Sequence, residues 1–303
     1  MNIAITVTAY NRPEMLRQTL EHLRIARDFL MTTEVAPDDL PVITVYVDGP
    51  ERPTQDVVMA FKEPNVTLVG SSKRKGLHRA VIEAKEDTFS VPIDGAFIFT
   101  DDLLCAECYL AQQLRLMKWL EVNGHNRVGL VGSNYWCRHT LEDKKDCLME
   151  VEEIDLSPGA YFISRSCWQS IEEDYLDFLH SFRMDVDELC ADSNAILEWM
   201  KDMWHGWPDH MKPGPDYPYQ PSCNDPFFYE RYRDGMVATG QDGGFRLCFT
   251  VHGWHYLSTD VNRLLMPVNQ GQHSSPNWFK RHGLDKVTLD QFEEDRELRV
   301  FSV

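Results

Sequence analysis

Basic residues are in short supply in this chain, where 30 Lys and Arg stand against 48 Asp and Glu for a formal net charge of −18. Proteins that grip bare phosphate backbone draw their affinity from counterion release by Lys and Arg, so the balance disfavours DNA as a partner while leaving room for a local basic groove. Long hydrophobic runs are missing as well. No apolar stretch approaches the roughly 18 residues of a bilayer crossing, and the opening MNIAITVTAYNRPEM has neither a basic n-region nor a long apolar core. The expectation is a cytoplasmic protein without a transmembrane segment. Eight cysteines in 303 residues fall far below the density of a disulfide scaffold. The lone C-x-x-C, Cys105 and Cys108, has no second pair to complete a zinc site. All eight therefore read as reduced thiols, used mainly in packing. Internal repeats, low-complexity linkers and a Gly-rich phosphate loop after the first strand are absent too.

What is present is ordinary in bulk, with 43% hydrophobic and 26% charged residues, but ordered in pattern. Strand-like runs at 2–9, 42–47, 65–70, 95–100 and 127–132 alternate with helix-like segments. In the first of these helices Pro13 suits the opening turn, and Leu16, Leu20, Leu23 and Leu30 recur at helical spacing. Alternation with such short connections predicts an α/β fold, a mostly parallel sheet with helices on both faces. Ligands in such sheets sit beyond the carboxyl ends of the strands, where Asn11, Arg12, Asp48, Asp101 and Asp102 would converge. Beyond about residue 135 the pattern loosens. GAYFIS (159–164) and FRLCFTVH (245–252) read as strands, RSCWQSIEEDYLDFL as a helix, and the Trp- and Pro-rich stretch 199–223 as irregular.

Three constellations carry chemistry. FIFTDDLL ends an apolar strand on two adjacent carboxylates, hard oxygen ligands suited to Mg²⁺ or Mn²⁺; alone, they could equally answer a helix dipole. SSKRKGLHRA is the densest basic cluster, with Lys73, Arg74, Lys75 and Arg79 around Gly76 at a helix start, a natural anion site. NDPFFYERYRDG places Asp225 ahead of Pro226, where it serves as a helix cap, a catalytic acid–base group, or both.

Taken in this order, the motifs resemble GT-A-fold glycosyltransferases of the large family 2 group, which use nucleotide-diphospho-sugars. The resemblance runs over roughly residues 2–256, with Thr100 where the family often has an acid and Asn224 where Glu is usual. It implies that Ala9, Tyr10, Asn11 and Arg12 meet the nucleotide and that Asp48 recognises its base. Lys73, Arg74, Gly76 and Arg79 would contact phosphates, with Thr100 and Asp101 completing the donor site. It further implies Mn²⁺ or Mg²⁺ held by Asp102 and His252, with Asp101 helping and His255 and His273 as rival ligands. Asp225, with Arg231 and Gly235 behind it, becomes the general base of an inverting transfer to a hydroxyl acceptor such as a glycan, with a UDP-sugar as the favoured donor. Residues 1–134 would bind the donor, 135–256 the acceptor, and 257–303 would form a C-terminal extension able to act as a lid.

Alternatives remain within reach of the same motifs. They are a retaining rather than an inverting transfer, sugar transfer onto hydroxymethylated bases in DNA, nucleotidyl transfer with pyrophosphate as product, and an inactive sugar-binding protein. For Asp225 the cap and the base separate cleanly, because Asn caps a helix about as well as Asp but abstracts no proton. Asp225→Asn is expected to leave the unfolding midpoint nearly unchanged while lowering turnover by about 10² or more. Near-normal steady-state turnover in that variant would remove the base assignment.

Overall fold

In the computed structural model the described residues are 1–34, 39–133, 147–150, 160–181, 252–259, 263–265 and 299–300, together with Phe245, Cys248 and Phe249. Their elements run β1 (Ile3–Ala9), α1 (Pro13–Thr33), β2 (Ile43–Val47), α2 (Arg52–Ala60), β3 (Val66–Gly70), α3 (Leu77–Ser90) and β4 (Gly95–Thr100). They continue with β5 (Leu104–Cys105), α4 (Tyr109–Val122), β6 (Val128–Ser133), β7 (Cys147–Glu150), β8 (Ala160–Ser164) and α5 (Arg165–Ser181). The last strands are β9 (His255–Thr259), β10 (Leu264–Leu265) and β11 (Arg299–Val300). None of the helices is long and apolar enough to cross a membrane among the described residues.

A nine-stranded sheet in the order β11-β7-β9-β6-β8-β4-β1-β2-β3 forms the centre. Its β3-β2-β1-β4 half is parallel throughout, as strand–helix alternation requires. Both faces of β1 are covered, which is why Thr6 and Thr8 are buried along with Ile3, Ile5 and Val7. One face packs against α1, α2 and α4, and the fully buried Leu16, Leu20, Leu23 and Leu30 of α1 belong to that core. Each such leucine contributes about 1.5–3 kcal/mol of burial. On the other face Thr6 and Thr88 of α3 exchange a 2.6 Å hydroxyl hydrogen bond, and α3 packs against α5. Lys85 of α3 lies there, 2% exposed. Its ammonium is 4.0 Å from the Phe245 ring centroid and within 5.9 Å of those of Tyr161, Trp168 and Tyr175. Cation–π attraction of this kind ties α3, β8, α5 and the Phe245 segment together.

In the second half the expected strand GAYFIS forms, as β8, and runs antiparallel between β4 and β6. Of the expected strand FRLCFTVH, the described Phe245, Cys248 and Phe249 are helical, and the His252 amide donates to the Cys248 carbonyl at 3.1 Å. The strand comes later, as β9, pairing parallel with β6 and antiparallel with β7. The expected boundary at 256/257 falls within β9, whose Leu257–Thr259 pair with β6. Cys105, Cys108, Cys167 and Cys248 are free and buried, in line with their reading as packing residues.

The antiparallel insertion of β8 depends on Gly95. A Cβ there would stand 2.3 Å from the Phe162 ring and 2.9 Å from the Ile163 carbonyl oxygen. Gly95→Ala is expected to destabilise the protein by about 1–3 kcal/mol through overpacking, read as a lower urea midpoint. An unchanged midpoint would mean that the β4–β8 contact has slack.

Candidate functional site

The parallel half of the sheet delivers its functional residues to one edge. At the carboxyl ends the strands remain in step, with Asp48 N–H donating to the Ala9 carbonyl, Asp101 N–H to Thr8 and Ser71 N–H to Val47, each at 3.0–3.1 Å. Asn11, Arg12, Asp48, Asp101 and Asp102 all follow these strands, as the alternation predicts, and Lys73 and Arg74 follow β3, with Thr100 closing β4.

The turn after β1 is made by Asn11, whose φ of 48° lies in the left-handed region, one that Asn tolerates better than most residues. Arg12 is then the N-cap of α1, with Pro13 behind it in the first turn. Its side chain is not spent on the helix. It reaches across to the end of β4, where Nη2 donates to Asp101 Oδ1 at 2.5 Å and Nη1 to Asp102 Oδ2 at 2.6 Å. The other two carboxylate oxygens are also met. Asp101 Oδ2 accepts the Tyr10 amide at 2.9 Å, and Asp102 Oδ1 accepts the Thr100 hydroxyl at 2.6 Å. The Asp101 carbonyl takes the hydroxyl of Thr19 at 3.0 Å, a residue that sequence reasoning passed over. Its signal was a threonine on the buried leucine face of α1.

Burial sets the electrostatics. Asp101 is 0% exposed, and loss of solvent pushes its pKa up to about 7, against the pull of Arg12 and helped by the charge of Asp102. Burial also works against the Arg12 charge, but the two carboxylates outweigh it and raise its pKa above the usual guanidinium value.

Asp48 is 5% exposed, and both of its oxygens are engaged by backbone, Oδ1 by the Lys75 amide at 2.7 Å and Oδ2 by the Gly76 amide at 2.9 Å. It thereby pins the basic loop to the end of β2. Gly76, at φ 88° and ψ 156°, occupies a conformation open to little but glycine. Above this loop the Arg74 guanidinium stacks on the Tyr10 ring at 4.7 Å. Lys75 pairs with Glu83, which also takes Arg79 Nε at 3.3 Å. Glu83 was not anticipated, and it gives two of the basic residues an acidic partner on the same surface. Lys73 and Arg74 are the exposed cations nearest the edge.

His252 is not part of this site. β6 starts at Val128 in register with His255, while Asp101 lies beyond the far end of β4, and the β8 register relates the two strands. At about 3.3 Å of rise per residue, that puts roughly 20 Å of sheet between His255 and Asp101, and His252 precedes His255 in the chain. His252 Nε2 is held at 2.5 Å by Asp174 Oδ2 of α5, a partner no sequence signal pointed to. His255 begins β9 at the same distant edge. Among the described residues, no three His, Cys, Asp or Glu side chains gather into a metal-holding group. The donors at the acidic pair do not fit a divalent ion while Arg12 stands there. Each oxygen of the pair already accepts a hydrogen bond from the chain, two of them from Arg12, and an ion bound to Asp102 would have to displace that guanidinium or lie beside its positive charge. Asp225, Arg231, Gly235, His273 and the stretch 199–223 lie outside the described residues.

No protein-family model matches the sequence, and no curated protein matches it. Among solved structures, it is similar to S. aureus TarS 1–349 in complex with UDP-GlcNAc, at 12% identity and a TM-score of 0.39 over 57% of this chain and 48% of that one. Against S. aureus TarS 1–349 without that ligand named, the values are 11%, 0.40, 68% and 65%. The chain thus spans about half to two thirds of those structures, and likeness at this level assigns it no residue and no activity.

The buried Asp101 makes stability pH-dependent with a definite sign. Its folded value near 7 lies above the ordinary 3.8, so its contribution favours the fold at low pH and is lost as pH rises through 7. Relative to Asp101→Asn, the wild-type protein is expected to lose on the order of a few kcal/mol between pH 4 and pH 8. Parallel pH profiles of the two urea midpoints would contradict this.

Proposed function

We propose that the chain is a glycosyltransferase of GT-A type that moves a sugar from a nucleotide-diphospho-sugar, a UDP-sugar being favoured, to a hydroxyl acceptor. The observation that carries the reading is the convergence, at one carboxyl edge of parallel strands, of an aromatic ring with a stacked arginine, a carboxylate-pinned basic loop and an arginine-bridged acidic pair. Open α/β sheets bind nucleotides at this edge. The order of the sequence motifs agrees with it.

In this reading the Tyr10–Arg74 pair and the turn at Asn11 line the nucleoside position. The loop of Lys73 to Gly76 lies where phosphates would be met, held by Asp48. Asp48 acts on the nucleotide through that loop rather than by an open carboxylate. Transfer itself needs the acceptor oxygen to form a bond to the anomeric carbon as the bond to the diphosphate oxygen breaks. The bonding pair leaves with the nucleoside diphosphate, and the acceptor proton passes to a base, the role proposed for Asp225. Backside attack inverts the anomeric centre, and the base supplies about 10²–10⁴ in rate. The pairing of Lys75 and Arg79 with Glu83 leaves less free basic surface for DNA than the sequence suggests.

A thermal-shift panel of UDP-, GDP- and dTDP-sugars tests the reading. One nucleotide family is expected to raise the melting temperature, by the equivalent of about 2.7 kcal/mol at a hundredfold excess over Kd. Turnover should release nucleoside diphosphate. Pyrophosphate release would instead identify a nucleotidyltransferase, and silence toward every donor would dismiss the proposal.

A further inference from the structure

We infer that Arg12 is the resident cation of this site and that the leaving diphosphate is met by its guanidinium without a divalent metal. The inference rests on the nucleotide-sugar reading for what the cation does, and on the geometry alone for what occupies the acidic pair.

Three features put Arg12 there. Its backbone is fixed from both sides, by the left-handed turn at Asn11 and by Pro13 in the first turn of α1. Its guanidinium spans two carboxylates at once, one nitrogen to each, a task for the rigid arginine fork that a lysine ammonium performs poorly. Every oxygen of the pair has a donor from the chain itself, from Arg12, the Tyr10 amide or the Thr100 hydroxyl. The pair is therefore satisfied as it stands. His252, the histidine expected to share a metal with it, is held instead by Asp174 of α5.

The site still offers positive charge outward. The Arg12 side chain is 31% exposed, against 1% for Asp101 and 15% for Asp102. Only part of its N–H fork is engaged by the two carboxylates. A diphosphate arriving from solvent meets the guanidinium before it meets either acid. Asp101 and Asp102 are then positioning residues. They hold the cation in place and let it act as an electrostatic stabiliser of the departing phosphate charge, with no change of protonation.

The test uses the full chain and two probes, Mn²⁺ alone and the nucleoside diphosphates UDP and GDP. Wild-type melting temperature is expected to be the same in millimolar Mn²⁺ and in chelator. Arg12→Ala exposes an uncompensated acidic pair and is expected to gain a Mn²⁺-dependent rise in melting temperature, which Asp102→Asn added to it removes. The nucleoside diphosphate that stabilises the wild-type protein should do so equally in chelator, and Arg12→Ala and Arg12→Lys should each weaken it at least tenfold. A wild-type Mn²⁺ shift that Asp102→Asn abolishes, or nucleotide binding only with Mn²⁺, would overturn the inference. Should Arg12→Ala not fold, Arg12→Lys and the wild-type metal arm still decide it. If neither diphosphate binds under any condition, the proposed function fails, while the Mn²⁺ arm still decides what holds the acidic pair.

Discussion

One guanidinium bridging two adjacent carboxylates organises the functional edge of this protein. Without Arg12, Asp101 would be a fully buried carboxylate answered only by a backbone amide, beside a second carboxylate one residue away. Breaking a buried, hydrogen-bonded pair by removing one partner is far more costly than the net worth of the pair itself. The turn after β1, the first turn of α1 and the end of β4 are therefore fixed relative to one another by charge as well as by the sheet. Thr19 adds a further tie from α1 to the Asp101 carbonyl.

A similar logic governs the neighbouring loop. Asp48 is buried and spends both oxygens on consecutive amides, so the basic segment is shaped by an acid rather than by a strand or helix. In both places a carboxylate at a strand end holds a cationic segment in a set conformation. Such an edge presents the exposed Lys73 and Arg74 and part of Arg12 to solvent, although the chain as a whole carries a large negative charge. An anionic ligand would be met locally, and the remaining surface would contribute repulsion rather than steering.

The opposite edge has its own polar cluster. His252 and Asp174 join the segment before β9 to α5, and Trp254 donates to the Ser170 hydroxyl at 2.6 Å. Arg127 lies over the Trp254 ring at 5.7 Å. These contacts link the two halves of the sheet about β6 and β9, and the aromatic surround of Lys85 does the same for α3 and α5. The histidine that motif order offered as a metal ligand has a structural partner here. Order along a chain says which residues follow which strand, but not which way that strand points.

The sequence by itself determined the parallel half, its helices and the edge where polar residues collect. Each of those follows from local periodicity and short connections, which act within some thirty residues of chain. It also marked Arg12, Asp48, Asp101 and Asp102 as a group, since every one follows a strand of the same direction. Only the tertiary structure decided how they pair. Whether two carboxylates face a metal, water or an arginine ninety residues away depends on distances that no local pattern encodes. The antiparallel entry of β8, the late strand β9 and the resulting separation of His252 from Asp102 are decided in the same way, by long-range register, where β-pairing and burial outweigh the apparent strand pattern of residues 245–252.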